Sequence, residues 1–334
     1  MTEVNARRLT PADYVDPDIF IAERDGLLSR GWIAVCRSDQ LEGPGSQRAV
    51  EVAGRSVLVL RDLDGGVSAL SNVCRHRGAL LVVGEACAKT VQCPYHLWTY
   101  ALDGRLTAAP FMDGVDHAGL DLPRYGAAEW CGWVLVNLSG DAPPVAERLA
   151  PLTPRFAARD LGAWKIGWEL DFDSPWNWKV MVENFAESYH HIGPHAQSLQ
   201  PFWPGGRSDP SASGDDWIEL AHSHHPLAGT FTVYVVFPML MFAVSEPDDM
   251  VVWYRMTPTA ADRFHLTITG LFPAGADAAA IETYRAQLQA IHLEDIPICE
   301  RVQAGLSSQG ARLGPLSPLE EGIARFQAFV AANR

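Results

Sequence analysis

The sequence predicts a two-part α+β protein: a small all-β module, then a larger domain of antiparallel strands and helices. Three observations carry this expectation. Short β-like runs with turn punctuation fill residues 31–140, a stretch rich in Pro, Gly and Ala follows, and beyond it strands give way to long helical segments. Strands succeeded by helices, rather than alternating with them, mark an α+β arrangement. At 334 residues the chain is long enough for two domains. The expected boundaries are 31–140 for the β module, and 1–30 together with 151–334 for the second domain.

The elements follow in order. Residues 12–30 carry apolar positions at Tyr14, Ile19, Phe20, Leu27 and Leu28, consistent with a helical entry segment. Runs at 56–60, 67–73 and 133–137 read as strands, punctuated by Gly43-Pro44-Gly45, Asp64-Gly65-Gly66 and Asp103-Gly104. Residues 139–154, with Gly140-Asp141-Ala142-Pro143-Pro144, read as the linker. A strand is expected at 164–171, a helix at 178–191, several β runs across 216–271, and helices at 277–305 and 317–333. The longest apolar run, 231–244, is broken by Pro238 and reads as two buried strands.

Composition narrows the class. Apolar residues make up 48% and charged residues 20%, ordinary values for a globular protein. No stretch reaches eighteen apolar residues, and Met1-Thr2-Glu3-Val4-Asn5 lacks the basic-then-apolar pattern of a signal peptide. Of the six cysteines, at 36, 74, 87, 93, 131 and 299, the four other than Cys74 and Cys93 have no disulfide-framework spacing, so reduced thiols and a cytoplasmic location are expected. A net charge of −14 argues against nucleic acid and anionic membranes as partners. It fits a basic redox partner or a cationic substrate.

Two cysteine–histidine pairs hold the most chemistry: Cys74-Arg75-His76 and, after sixteen intervening residues, Cys93-Pro94-Tyr95-His96. Two thiolates and two imidazoles suit either a tetrahedral zinc or a [2Fe–2S] cluster with two histidines on one iron. Structural zinc sites usually pair cysteines in C-x-x-C knuckles, whereas each hairpin here offers one sulfur and one nitrogen. Cys74-Arg75-His76-Arg77-Gly78 and Cys93-Pro94-Tyr95-His96-Leu97-Trp98 closely resemble the two ligand loops of a Rieske centre. Leu97 departs from the smaller residue common there. The extra disulfide of respiratory Rieske proteins would need cysteines at Ala79 and Tyr95, and their cluster-bonding serine is not apparent after His96. Fewer donors to the sulfurs lower the potential, so the loops resemble the ferredoxin and oxygenase branch.

A second ligand set follows. A mononuclear non-haem iron needs two neutral imidazoles and one carboxylate on one face, and Glu187-x-x-His190-x-x-x-x-His195 is dense in such groups. On a continuing helix Glu187 and His190 would share a face, and Gly193-Pro194 would end it and let His195 turn back. His191 competes with His190 as ligand. The segment resembles the iron motif of Rieske non-haem iron oxygenase catalytic (alpha) subunits, and the resemblance covers nearly the whole chain. It implies a helix-grip catalytic domain, His190 and His195 as ligands, Glu187 as a bridge, and the third ligand in Glu294-Asp295, with Asp295 ahead of Glu294.

The same resemblance implies an enzyme that uses O2, a [2Fe–2S] cluster and a mononuclear Fe(II). It implies a head-to-tail homotrimer in which an electron leaves one subunit through His76 or His96, crosses at Glu187 and reaches iron through His190. Gly43-Pro44-Gly45 lacks the third glycine and the helix of a dinucleotide fingerprint, so NAD(P)H electrons are expected through a separate reductase, with or without a ferredoxin. Glutamate in Asn184-Phe185-Ala186-Glu187 resembles the branch acting on choline, carnitine and betaines, by hydroxylation or oxidative N-demethylation. The apolar runs 231–237 and 239–244, with Trp253, Tyr254, Phe202 and Trp203, are expected around a pocket that suits a quaternary ammonium. His222, His224 and His225 read first as pocket-rim or surface residues. A ring-hydroxylating dioxygenase alpha subunit, and a non-enzymatic Rieske electron carrier, stand as the alternatives.

Overall fold

A computed structural model describes residues 8–156, 159–207, 210–246 and 249–334, so the segment Met1–Asn5 lies outside the described residues. The chain forms two compact units, Leu28–Ala163 and the residues before Leu28 together with Trp164–Arg334. In the second unit, the entry segment is two short helices, α1 (Ala12–Val15) and α2 (Pro17–Glu23), followed by a π-helical turn at Arg24–Leu28. The helical entry segment expected over 12–30 is therefore present. Pro17 breaks it, and Asp16 caps the new start by accepting from the Asp18 amide.

The β unit contains strands β1 (Ile33–Arg37), β2 (Ser46–Val52), β3 (Arg55–Arg61), β4 (Val67–Ser71), β5 (Glu85–Cys87), β6 (Thr90–Gln92), β7 (Thr99–Ala101), β8 (Leu106–Ala108), β9 (Arg124–Trp130) and β10 (Trp133–Asn137). Seven pair antiparallel in the order β1-β10-β9-β4-β3-β2-β5, and β6-β7-β8 form a separate three-stranded sheet. Two-residue hairpins join β2 to β3 and β9 to β10. Ala53-Gly54 and Cys131-Gly132 both lie at positive φ, as the twist-matched type I′ turn requires. Leu58, Leu60, Leu70, Trp98 and Tyr100 pack into one core that also encloses Cys74 and Cys93.

The stretch 139–154, expected to be a linker, contains α3 (Val145–Arg148) and the start of α4 (Thr153–Phe156). It packs on the β unit because Leu149, Leu152 and Phe156 bury an apolar stripe that the Pro/Gly count concealed. Trp130 Nε1 donates to Thr153 Oγ1 at 2.9 Å, and the buried Arg37 guanidinium donates to the Leu161 carbonyl at 2.5 Å. Residues 151–163 therefore belong with the β unit, not with the second domain.

The remaining unit is built on β11 (Lys165–Ser174), β12 (Pro210–Ser213), β13 (Trp217–Ala221), β14 (Thr230–Val236), β15 (Leu240–Glu246), β16 (Met250–Ala260) and β17 (Arg263–Phe272). They form one antiparallel sheet in the order β11-β17-β16-β15-β14-β13-β12. Around Pro238 the 231–244 run folds back on itself, pairing Val236 with Leu240. Helices α5 (Trp178–Phe185), α6 (Ala278–Leu306) and α7 (Glu321–Ala332) pack on the sheet. The contacts include Phe172 with His292, Phe272 with Tyr284, and Phe237 with Phe326.

Helix α5 is held by a buried polar framework. Asn177 caps it by accepting from the Lys179 amide, while its own amide donates to Tyr14 and Ala261 carbonyls. Lys179, fully buried, pairs with Glu23 at 2.6 Å. Helix α7 comes close to the end of α5, and only glycine fits there: a Cβ on Gly322 would sit 2.5 Å from the Ala186 carbonyl oxygen.

Candidate metal centres

The first centre lies at the tips of two loops in the β unit. Each loop is closed by its own backbone: Cys74 N–H donates to Ala79 O and Gly78 N–H to Cys74 O, while Cys93 N–H donates to Trp98 O and Leu97 N–H to Cys93 O. His76 and His96 approach to 4.6 Å between ring centroids, and Trp98 stacks nearly parallel on His76 at 4.7 Å. Both histidines have a buried Nδ1 without a hydrogen-bond partner, an arrangement that costs free energy unless a metal takes the lone pair. Among the described residues, Cys74, His76, Cys93 and His96 are not gathered as a single ion would gather them; only His190, His195 and Asp295 are. That spread disfavours a lone zinc and suits a binuclear cluster.

Tyr100 is a functional group that the motif reading missed. Its buried hydroxyl lies 3.4 Å from Cys74 Sγ and accepts the Arg75 amide at 3.1 Å, leaving the phenolic proton for the sulfur. The sequence reading considered only the serine after His96 and did not count this donor. The available signal was a tyrosine two residues after Trp98, which alone reads as core. Tyr95, at the position of a disulfide cysteine in respiratory relatives, packs on His96 and lies under the Arg77 guanidinium. Leu97 takes a φ of +59°, which explains the smaller residue elsewhere.

The second centre forms where α5 ends. The expected helix over 178–191 stops at Phe185, and a 3₁₀ turn follows at Tyr189–Ile192. The cause is local. Glu187 Oε2 accepts the His190 amide at 3.0 Å, replacing the carbonyl that a continuing helix would offer, and its Oε1 accepts from His190 Nδ1 at 2.6 Å. Glu187 and His190 are thus neighbours, as anticipated, through a carboxylate-capped turn rather than a shared helix face.

His190, His195 and Asp295 converge with their ligand atoms all within 4.8 Å of one another. Asp295 Oδ1 lies 3.0 Å from His195 Nε2 and 3.7 Å from His190 Nε2. Glu294, the competing carboxylate, faces the other way: it accepts from His195 Nδ1 at 2.7 Å and from Ser198 Oγ at 2.5 Å. Asn184 donates to Asp295 Oδ1 at 3.2 Å. Each Nδ1 proton points at a carboxylate, which leaves each Nε2 lone pair turned to the shared centre, the arrangement that orients metal-binding histidines. With no metal bound, His195 can carry a second proton on Nε2; burial works to raise the Asp295 carboxyl, but that hydrogen bond and the two imidazoles hold it below the usual range. Burial would lower His195, yet Asp295 and Glu294 raise it. The donor set of two imidazoles and one carboxylate fits a non-haem iron.

His191 is not part of this set. It is buried, donates Nδ1–H to the Trp203 carbonyl at 2.8 Å, and is pushed by burial down to about 3. His222, expected at a rim or surface, is buried, donates to the Phe231 carbonyl and takes the Ser188 hydroxyl proton at 2.6 Å. His224 is exposed and His225 half-buried. A cavity of about 610 Å³ opens on the three gathered residues, walled by Phe185, Phe202, Trp203, Phe231 and Tyr254. Trp253 is core instead, on the buried inner strand β16.

Comparison with known proteins decides the family. The Rieske [2Fe-2S] domain matches residues 31–125, and the ring hydroxylating alpha subunit (catalytic domain) matches 161–227 and 210–333. The chain belongs to this oxygenase family. It is similar to the carnitine monooxygenase oxygenase subunit of Acinetobacter pittii, 28% identical, with 96% of this chain and 93% of that one covered. It is also similar to the chloroplastic choline monooxygenase of Amaranthus tricolor, 26% identical, over 95% of this chain and 75% of the relative. Among solved structures, the quaternary ammonium Rieske monooxygenase CntA in complex with L-carnitine superposes with a TM-score of 0.84 at 25% identity, over 99% and 96% of the two chains. As a Rieske-type oxygenase, the protein uses a [2Fe–2S] cluster and a mononuclear iron, with NAD(P)H electrons arriving through a partner reductase. Among the described residues, no helix is long and apolar enough to cross a membrane.

Proposed function

We propose that this protein is the terminal oxygenase that hydroxylates or oxidatively N-demethylates a small quaternary amine, with Cys74, His76, Cys93 and His96 holding the cluster and His190, His195 and Asp295 holding the iron. The observation that supports the substrate class is the cavity. Aromatic rings wall it, and among the described lining residues the fixed charges, histidines aside, are the carboxylates Glu187 and Asp295. Aromatic faces attract a desolvated ammonium by about 0.5–2 kcal/mol each, and no fixed cation on the described walls opposes it. Relatives named for carnitine and choline support the same reading.

Bound iron supplies O2 activation, and the chain's residues prepare for it. Glu187 and Glu294 hold the protons of His190 and His195 on Nδ1, and Asn184 fixes the Asp295 oxygen. Glu187, bonded to His190, is the bridge by which an electron from a neighbouring subunit's cluster reaches the iron, in a homotrimer served by a reductase directly or through a ferredoxin in the cytoplasm.

The test is turnover of a panel of quaternary amines and arenes with a reductase, following O2 uptake, formaldehyde and hydroxylated product. Amine-dependent O2 uptake coupled to product is expected. Coupled turnover of arenes alone would replace this reading with the ring-hydroxylating one.

A further inference from the structure

The cavity wall contains a hydrogen-bond acceptor that neither metal centre uses. His191 is only 4% exposed and lines the cavity. A carbonyl oxygen can only accept, so the 2.8 Å contact with Trp203 O fixes the ring proton on Nδ1. The neutral ring then carries its lone pair on Nε2. That nitrogen has no hydrogen-bond partner among the described residues, whereas His222, its stacked neighbour at 5.9 Å, has both nitrogens engaged by Phe231 O and Ser188 Oγ. Nor does His191 join the metal set, although its ring lies 5.1 Å from that of His190 and 5.6 Å from that of His195. A fixed acceptor on the cavity wall disfavours a purely apolar occupant, because covering it without supplying a donor is costly.

We propose that His191 is a specificity-determining residue whose Nε2 accepts a hydrogen bond from the substrate, which therefore carries a donor: a hydroxyl group, or the N–H of a protonated tertiary amine. This rests on the amine reading above and narrows it. The aromatic walls contact the ammonium, and His191 separates cations that present a donor from those clothed only in alkyl groups.

Binding to the metal-loaded oxidised enzyme, measured by calorimetry without reductant, tests this on an isosteric pair. (2-Hydroxyethyl)trimethylammonium and n-propyltrimethylammonium differ by OH against CH3, and protonated N,N-dimethylpropylamine tests the N–H source. A parallel pair, benzyl alcohol and ethylbenzene, makes the test independent of the amine reading. The ratio of affinities within each pair is compared between wild type and His191→Phe, so that the ligands' own desolvation cancels. The ratio is expected to fall about tenfold in His191→Phe, as for loss of one buried hydrogen bond, and to recover in part in His191→Gln, which restores an acceptor oxygen. The cluster's visible spectrum checks that the variants are folded. A binding ratio that His191→Phe leaves unchanged overturns the proposal. If the alcohol–arene pair alone binds and shows the fall, the amine reading fails and the role of His191 stands. A chain that binds neither pair loses both claims.

Discussion

Replacing Tyr100 by Phe removes a single oxygen from a fully buried ring and leaves the core volume almost unchanged. The lost group is the donor to Cys74 Sγ at 3.4 Å, and the same change strips the Arg75 amide of its acceptor at 3.1 Å. A hydrogen bond to a cluster sulfur favours the reduced form, which carries more negative charge. The net worth of such a bond, about 0.5–1.5 kcal/mol, sets the scale of the difference between oxidation states. With tenfold equal to 1.4 kcal/mol and about 59 mV for one electron, Tyr100→Phe should lower the cluster potential by about 20–65 mV. Spectroelectrochemical titration of the purified protein measures this directly. Tyr95→Phe is the control: that hydroxyl meets Arg77 on the exposed side and has no contact with sulfur. A Tyr100→Phe potential equal to wild type, or above it, would refute the assignment of the phenolic proton to Cys74.

Three further outcomes are expected. Glu187→Gln should leave both metal centres filled, about three irons per chain by the two-site reading, while turnover falls about 10–100-fold or more; normal turnover would remove Glu187 from the electron route. Glu294→Gln weakens the acceptor that holds the His195 proton, so iron affinity should drop about 10–100-fold, read by competition with a chelator, with the cluster spectrum unaltered. Lys179→Met leaves Glu23 buried opposite an apolar side chain, and stability in denaturant should fall by about 3–5 kcal/mol; a loss under 1 kcal/mol would mean that Arg334, 3.4 Å from the same carboxylate, suffices as its partner.

The sequence disclosed what is local. Cys74 with His76, Cys93 with His96, and His190 with His195 sit within a few residues of each other, so spacing announced metal ligands and the resemblance of the flanking residues chose the metals. Asp295 comes from a helix a hundred residues away and was reachable only through family resemblance, since an acidic pair on a helix otherwise reads as a solvated face. The end of α5 was invisible because apolar periodicity continues past Phe185, while the competing event is a side-chain carboxylate capturing the His190 amide. Tyr100 was overlooked for the opposite reason. A buried aromatic in a strand has a sufficient explanation in packing, and its hydroxyl acquires meaning only when Cys74 is folded against it. His191 looked like a rival ligand because spacing cannot tell neighbouring rings apart; only the folded turn shows that His190, and not His191, gathers with His195 and Asp295.

Helix α6 carries Asp295 two residues before Pro297. Proline has no amide to give the Leu293 carbonyl, and its ring crowds that oxygen, so the ligand-bearing turn is the weakest of a rod about 43 Å long. Beyond it, Gln303 is fastened to the Asn177 amide; before it, Tyr284, Gln287 and Ile291 form part of the cavity wall. Asp295 thus sits on the turn of the rod that lacks this backbone bond. Amide exchange along the helix is expected to divide at Pro297, faster toward the cavity wall and slower toward the half that Gln303 fastens.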